Sequence, residues 1–149
     1  MLGSPKMSEE ENDVGTERAG GCMCGAVRYK ANFSNSFATC YCKMCQRWSS
    51  GSYMGAMAKN FQLTKGEDPL VVFKSSDWAV RAFCGTCGSN LYYHSESFGS
   101  QSVAMGTLDD STGLNVSMQY FIDQKPEGFS LAESTKEMTS EDIAKAFGA

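Results

Sequence analysis

At 149 residues, with 42% hydrophobic and 11% aromatic content, the chain makes one globular domain that buries roughly two-thirds of the surface its unfolded form exposes. A net charge of −4, a pI near 5.0 and the lack of a basic stripe argue against a nucleic-acid surface. No apolar run approaches a membrane span and no apolar signal core follows Met1, so the expectation is a cytoplasmic protein that meets neither membrane nor nucleic acid.

In chain order, residues 1–19 are rich in acid (Glu9, Glu10, Glu11, Asp13, Glu17) and poor in apolar side chains, which predicts a disordered lead-in. Residues 20–132 form the expected domain. Ala26–Lys30 alternates apolar and polar, the mark of a half-buried strand. Further short strands are predicted at Ser52–Lys59, Phe61–Lys65, Leu70–Ser75, Trp78–Cys84, Ser89–His94, Ser102–Leu108 and Val116–Ile122. Turn residues separate them at 65–69, 85–88 and 109–113, the last through Asp109-Asp110. Strands so spaced, with no helix between them, predict a mainly β, antiparallel architecture. Residues 133–149 form a C-terminal segment with one short helix, for which Ser140 is the expected cap and Ile143, Ala146 and Phe147 the apolar stripe. No internal repeat is present.

The chemistry lies in seven cysteines, grouped as Cys22-x-Cys24, Cys40-x-Cys42-x-x-Cys45 and Cys84-x-x-Cys87. An odd count and i,i+2 pairs make a disulfide framework awkward, and reducing cytosol disfavours one. A structural zinc closes its shell with four protein ligands; a catalytic zinc keeps three and an open position. Four plus three thus suggests one site that holds the fold and one that is open. Cys84-Gly85-Thr86-Cys87-Gly88 has the form of a zinc knuckle between strands, and Cys22 and Cys24 share a face at the start of the first strand. Cys40, Cys42 and Cys45 need no distant partner. Spacing alone leaves two alternatives open: Cys40 and Cys42 joining Cys22 and Cys24, or the middle trio as reduced core thiols.

The segments Gly20-Gly21-Cys22-Met23-Cys24-Gly25-Ala26-Val27-Arg28-Tyr29, Cys40-Tyr41-Cys42-Lys43-Met44-Cys45-Gln46-Arg47 and Arg81-Ala82-Phe83-Cys84-Gly85-Thr86-Cys87-Gly88-Ser89 resemble, in that order, the glutathione-dependent formaldehyde-activating enzyme family. That family is also called S-(hydroxymethyl)glutathione synthase and includes centromere protein V. The resemblance spans residues 19–125. It implies a β-tent of stacked antiparallel sheets, a structural Zn2+ on Cys22, Cys24, Cys84 and Cys87, and a catalytic, more labile Zn2+ on Cys40, Cys42 and Cys45. The implied partners are formaldehyde and glutathione or another small thiol. Two positions depart from the pattern, Tyr41 where members often carry His and Gln46 where they often carry Arg. Neither is a zinc ligand, so they bear on substrate choice.

Zinc stabilises thiolate, so a substrate thiol in the open position is deprotonated near neutral pH and adds to formaldehyde. Three cysteinates leave zinc at formal charge −1, which weakens carbonyl polarisation and favours thiol activation. Lys43 and Arg47 beside the trio are candidates to attract the glutathione carboxylates. Trp48 and Tyr53 flank the trio as pocket walls or core, and Trp78 and Arg81 share that ambiguity. His94, the sole histidine, reads as an edge-strand or surface residue, and the methionines, Met54, Met57 and Met105 among them, as space fillers. The expected function is therefore a zinc-dependent carbon–sulfur lyase. The alternatives are a non-catalytic module binding thiol or protein and, less in keeping with the absent basic tail, a chromatin-associated protein.

Overall fold

The computed structural model describes residues 15–97 and 101–147. Ten strands form one branched sheet: β1 (Thr16–Gly21), β2 (Arg28–Phe33), β3 (Ser36–Cys40), β4 (Tyr53–Lys65), β5 (Leu70–Ser76), β6 (Ala79–Cys84), β7 (Asn90–Ser95), β8 (Gln101–Ala104), β9 (Asn115–Tyr120) and β10 (Lys136–Met138). Helix α1 (Lys43–Ser49) follows β3 and α2 (Ser140–Phe147) closes the described chain. The path runs β10-β9-β3-β4-β8-β7-β6-β5, with β2 and then β1 branching from β4. The protein is mainly β with a short C-terminal helix, as expected.

Strand β4 organises this branching. Its first half pairs with β3 and β8, and its second half with β2, all antiparallel. Between the halves Asn60 takes a left-handed conformation at φ 56°, which Asn tolerates better than most residues. Lys30 opposes Gln62 while Asn32 opposes Lys59, so β4 carries one extra residue there. This bulge shifts the alternation: Ala56 and Ala58 face the core before it, Phe61 and Leu63 after it. The two strands expected at Ser52–Lys59 and Phe61–Lys65 are thus one strand broken in register rather than in direction.

The core lies under β2 and β4. Tyr29, Ala31 and Phe33 alternate inward and meet Ala56, Ala58, Leu91, Val103 and Leu108. Tyr29 stacks on Phe61 with ring centroids 5.2 Å apart, and Phe61 meets Tyr92 edge-on at 5.0 Å. Cys22 and Cys84 belong to this cluster, so their group is set into its margin. The opposite end of the sheet is less covered: β5 pairs only β6 among the described residues, and Val71, Val72 and Phe73 are exposed.

Several expectations change. Residues 16–19, expected to be disordered, form most of β1; residues 1–14 lie outside the described residues. The strand is polar and glycine-rich, yet β2 supplies its hydrogen bonds, and Arg18 donates to the Asp110 and Thr112 carbonyls at 2.7 and 2.9 Å. Not every pairing is antiparallel, since β9 runs parallel to both β3 and β10. A helix does interrupt the strands, because 43–49 contains good helix formers and no Gly or Pro. Helix α2 is capped by Thr139 instead of Ser140: Asp142 N donates to Thr139 Oγ1 at 3.1 Å and Thr139 N to Asp142 Oδ2 at 2.9 Å, a reciprocal box. Ser140 Oγ instead donates to Asp123 at 2.8 Å. The Asp109-Asp110 turn forms as expected. Asp110 Oδ1 accepts from Thr112 N at 2.9 Å, and Asp109 takes both ends of the Arg28 guanidinium at 3.0 and 2.5 Å.

Gly20 sets how closely β1 approaches the rest. A Cβ there would stand 2.4 Å from the Thr107 carbonyl oxygen and 2.4 Å from the Tyr29 hydroxyl, inside contact distance of fixed groups. Gly20→Ala is therefore expected to lower stability by about 1–3 kcal/mol in denaturant titration, whereas Gly106→Ala, with open space at its Cβ, should be close to neutral.

Candidate metal centres and active site

Two matching turns build the first thiol group. Between β1 and β2, Cys22 N donates to Val27 O at 3.0 Å, Gly25 N to Cys22 O at 3.2 Å, and Val27 N to Cys22 Sγ at 3.2 Å. Between β6 and β7, Cys84 N donates to Ser89 O at 2.9 Å, Gly88 N to Cys84 O at 2.8 Å, and Thr86 N to Cys84 Sγ at 3.4 Å. In each turn a glycine with φ near +82° reverses the chain, and an amide N–H points at sulfur, which favours thiolate. Cys22 and Cys24 thus sit in a turn and not on a strand start, because the chain must fold back to bring both sulfurs to one point. Met23 N donates to Ser89 Oγ at 2.9 Å, joining the two turns.

The four sulfurs lie within 4.8 Å of one another, with Cys22–Cys24 at 3.6 Å and Cys24–Cys84 at 3.9 Å. A tetrahedron of zinc–sulfur bonds near 2.3 Å has edges of about 3.8 Å, so the donor set and its spacing fit such an ion. Cys22 and Cys84 are buried, Cys87 is partly buried and Cys24 exposed. The Ser89 hydroxyl and N–H hold the Cys87 thiol down to about 5. All seven cysteines are unpaired with one another.

The second group is local. Cys40 ends β3, opposite Tyr53 of β4 and Tyr120 of β9. Cys42 caps α1, its Sγ accepting from Cys45 N at 3.4 Å. A cap and the residue three later share the first helical turn, while Cys40 and Cys42 alternate to the same side. The three sulfurs lie within 4.8 Å of one another and are separate from the first group, so the pairing of Cys40 and Cys42 with Cys22 and Cys24 does not occur. Hydrogen bonds from the Cys40 and Cys45 thiols pull Cys42 down to about 2, and the bonds Cys40 makes to Cys42 and Cys45 push Cys40 up. Cys45 rises to about 11, since the bond with Cys40 is outweighed by that with Cys42 and by burial.

Aromatic rings and one cation stand beside Cys45 of this group. Trp48, on α1, stacks on Tyr53 with centroids 5.1 Å apart, and its carbonyl accepts from Asn90 Nδ2 at 3.0 Å. Arg81 lies between Trp48 and Tyr93, 4.9 Å from each ring centroid, and aims Nη1 and Nη2 at Cys45 Sγ from 3.8 and 3.9 Å. Its place was ambiguous in the sequence, where the signal is a single cation between apolar neighbours within a strand.

The remaining candidates fall elsewhere. Lys43 and Arg47 are exposed on α1, four residues apart and so on one face; Cys45 lies about 200° round the helix from Lys43. Tyr41 points away from its cysteine neighbours into the interior, fully buried, and donates to Gln119 Oε1 at 2.6 Å. Gln46 Nε2 donates to the carbonyls of Tyr41 and Gln124 at 2.6 and 2.9 Å. Both departures from the family pattern therefore brace the scaffold. Trp78 is 55% exposed at the β5–β6 turn. His94 is half-buried on β7, an interior strand and not an edge, and joins neither thiol group. Met54 and Met57 are exposed, so only Met105 of the three named packs against the core. An open groove lined by Gln119, Ile122, Lys125, Leu131, Thr135 and Glu137 contains no thiol.

Residues 17–124 match the family described as glutathione-dependent formaldehyde-activating enzyme. The chain belongs to that family. It is 24% identical over 132 residues to an uncharacterized lyase from Schizosaccharomyces pombe, covering 87% of this chain and 96% of that protein. A crystal structure of a Rhodobacter sphaeroides protein shares the fold with a TM-score of 0.55 and 22% identity, over 66% of this chain and 99% of that one.

The geometry separates the two groups energetically. Cys84→Ser, which breaks the set that joins two distant turns, is expected to cost more than about 4 kcal/mol, the size reserved for losing a metal or a core. Cys45→Ser, in a group closed within six residues of chain, should cost less than about 2 kcal/mol. Denaturant titration alongside metal content by mass spectrometry checks both; equal losses would contradict the separation.

Proposed function

We propose that the protein is a zinc-dependent carbon–sulfur lyase-type enzyme that joins formaldehyde, or a related small aldehyde, to glutathione or another small thiol, and that also runs the reverse step. The observation that carries this reading is the trio of Cys40, Cys42 and Cys45, which brings three sulfurs together with no fourth Cys, His or carboxylate in the group among the described residues. Family membership supports the same chemistry.

Cys22, Cys24, Cys84 and Cys87 suit a closed, structural zinc, and the trio suits one with an open position. Zinc held by Cys40, Cys42 and Cys45 would keep an incoming substrate thiol ionised near neutral pH. The chain's own groups do the rest. The strand end at Cys40 and the helix cap at Cys42 fix two sulfurs on rigid elements. In the forward reaction the substrate sulfur attacks the aldehyde carbon, a C–S bond forms, and the oxygen takes up a proton from water. The reverse breaks that bond and returns the proton. Lys43 and Arg47, exposed on the far face of α1, would attract the carboxylates of an anionic thiol at a distance, without gripping them. Unpaired thiols fit a reducing cytosol, and no described helix is long and apolar enough to cross a membrane.

Exchange NMR of glutathione with formaldehyde at neutral pH tests the proposal directly. The zinc-loaded protein should speed exchange over the spontaneous addition, and Cys45→Ser should return it to the spontaneous rate. No acceleration by the zinc-loaded wild type would leave a thiol-binding module instead.

A further inference from the structure

Arg81 is 5% exposed, and among the described residues no carboxylate pairs with it. A buried guanidinium without a counter-charge is costly, and arginine is almost never buried unless paired. Its Nε has no hydrogen-bond partner, while both terminal nitrogens point at Cys45 Sγ. Two aromatic faces hold the plane in place from either side, through Trp48 of the helix that carries Cys45 and Tyr93 of the neighbouring strand. Among the described residues, the only anionic partner this geometry offers is therefore a thiolate of the trio. We propose that Arg81 is a positioning residue that supplies the missing positive charge of the three-cysteine centre, so that the centre holds a divalent metal and admits a further thiolate.

The charge count gives the reason. Three thiolates and a divalent ion sum to −1, and a substrate thiolate brings the total to −2. Arg81 returns that total to −1. Its cation–sulfur separation of under 4 Å is close enough for Coulomb attraction to count in a partly dehydrated site. A second-sphere hydrogen bond to a ligating atom also fixes that ligand's direction, here Cys45 on the first turn of α1. The inference rests on the proposed metal-bound trio, and it assigns Arg81 no contact with the aldehyde or with the body of the thiol.

Cobalt(II) titration of the full-length protein stripped of metal provides the test, because thiolate-to-cobalt absorption reports each equivalent without any turnover. Wild type should take up two equivalents. Arg81→Met keeps bulk against the rings but removes charge; it should bind the first equivalent as wild type does and the second roughly 10–100-fold more weakly. Arg81→Lys should recover most of that loss. The cobalt spectrum of the second site should also respond to 2-mercaptoethanol and to glutathione at higher concentrations in Arg81→Met, by similar factors for both. Unchanged second-site affinity in Arg81→Met would reduce Arg81 to packing. Parallel weakening of both equivalents would make it a fold residue, and no rescue by Lys would refute the charge argument. A loss confined to glutathione would make it a carboxylate contact instead. If wild type takes up only one equivalent, the metal-bound trio itself fails and the role of Arg81 falls with it.

Discussion

Four sulfurs delivered to one point by two turns some sixty residues apart are the constraint on which the rest of this structure depends. The turn between β1 and β2 and the turn between β6 and β7 also meet through the Met23–Ser89 hydrogen bond and through the apolar cluster that takes in Cys22, Val27 and Cys84. Each turn prepares its sulfurs locally, with amide N–H groups aimed at Cys22 and Cys84 and a left-handed glycine reversing the chain. What remains is loop closure over a long segment, whose entropic cost an ion held by all four sulfurs would help offset. With that tie in place, the apolar cluster under β2 and β4 has a fixed margin.

The second thiol group follows a different physical logic. Its three residues span one strand end and one helical turn, so closure costs little and the group need not contribute much to the fold. Freed from that duty, it sits among groups that adjust charge and access: a stacked indole and phenol on one side and a buried guanidinium on another. The same separation is visible in burial, since Cys22 and Cys84 belong to the main apolar cluster and Cys40, Cys42 and Cys45 do not.

Much of this was legible in the sequence, and what was missed has identifiable causes. Cysteine spacing and motif resemblance named both thiol groups, and alternation along 26–30 marked the inward face of β2. Strand β1 was hidden because its residues are polar and glycine-rich and owe their conformation to a partner strand, not to their own pattern. Helix α1 was hidden by its brevity: seven residues give less than the periodicity that a helical reading needs. The bulge at Asn60 made one strand read as two, since it shifts which positions face inward. The inward departures Tyr41 and Gln46 looked like substrate determinants because a motif shows adjacency and not direction. Arg81 could be placed only once its three partners, brought from α1 and β7, stood around it.

Strand β6 serves both thiol groups. Arg81 and Cys84 stand three positions apart on it, so they leave opposite faces of one short ribbon, the first toward the trio and the second toward the quartet. Strands β5 and β7 pair with β6 on both sides, so one rigid element presents a cation to the trio and a sulfur to the quartet, and the two groups keep a fixed spacing without sharing a residue.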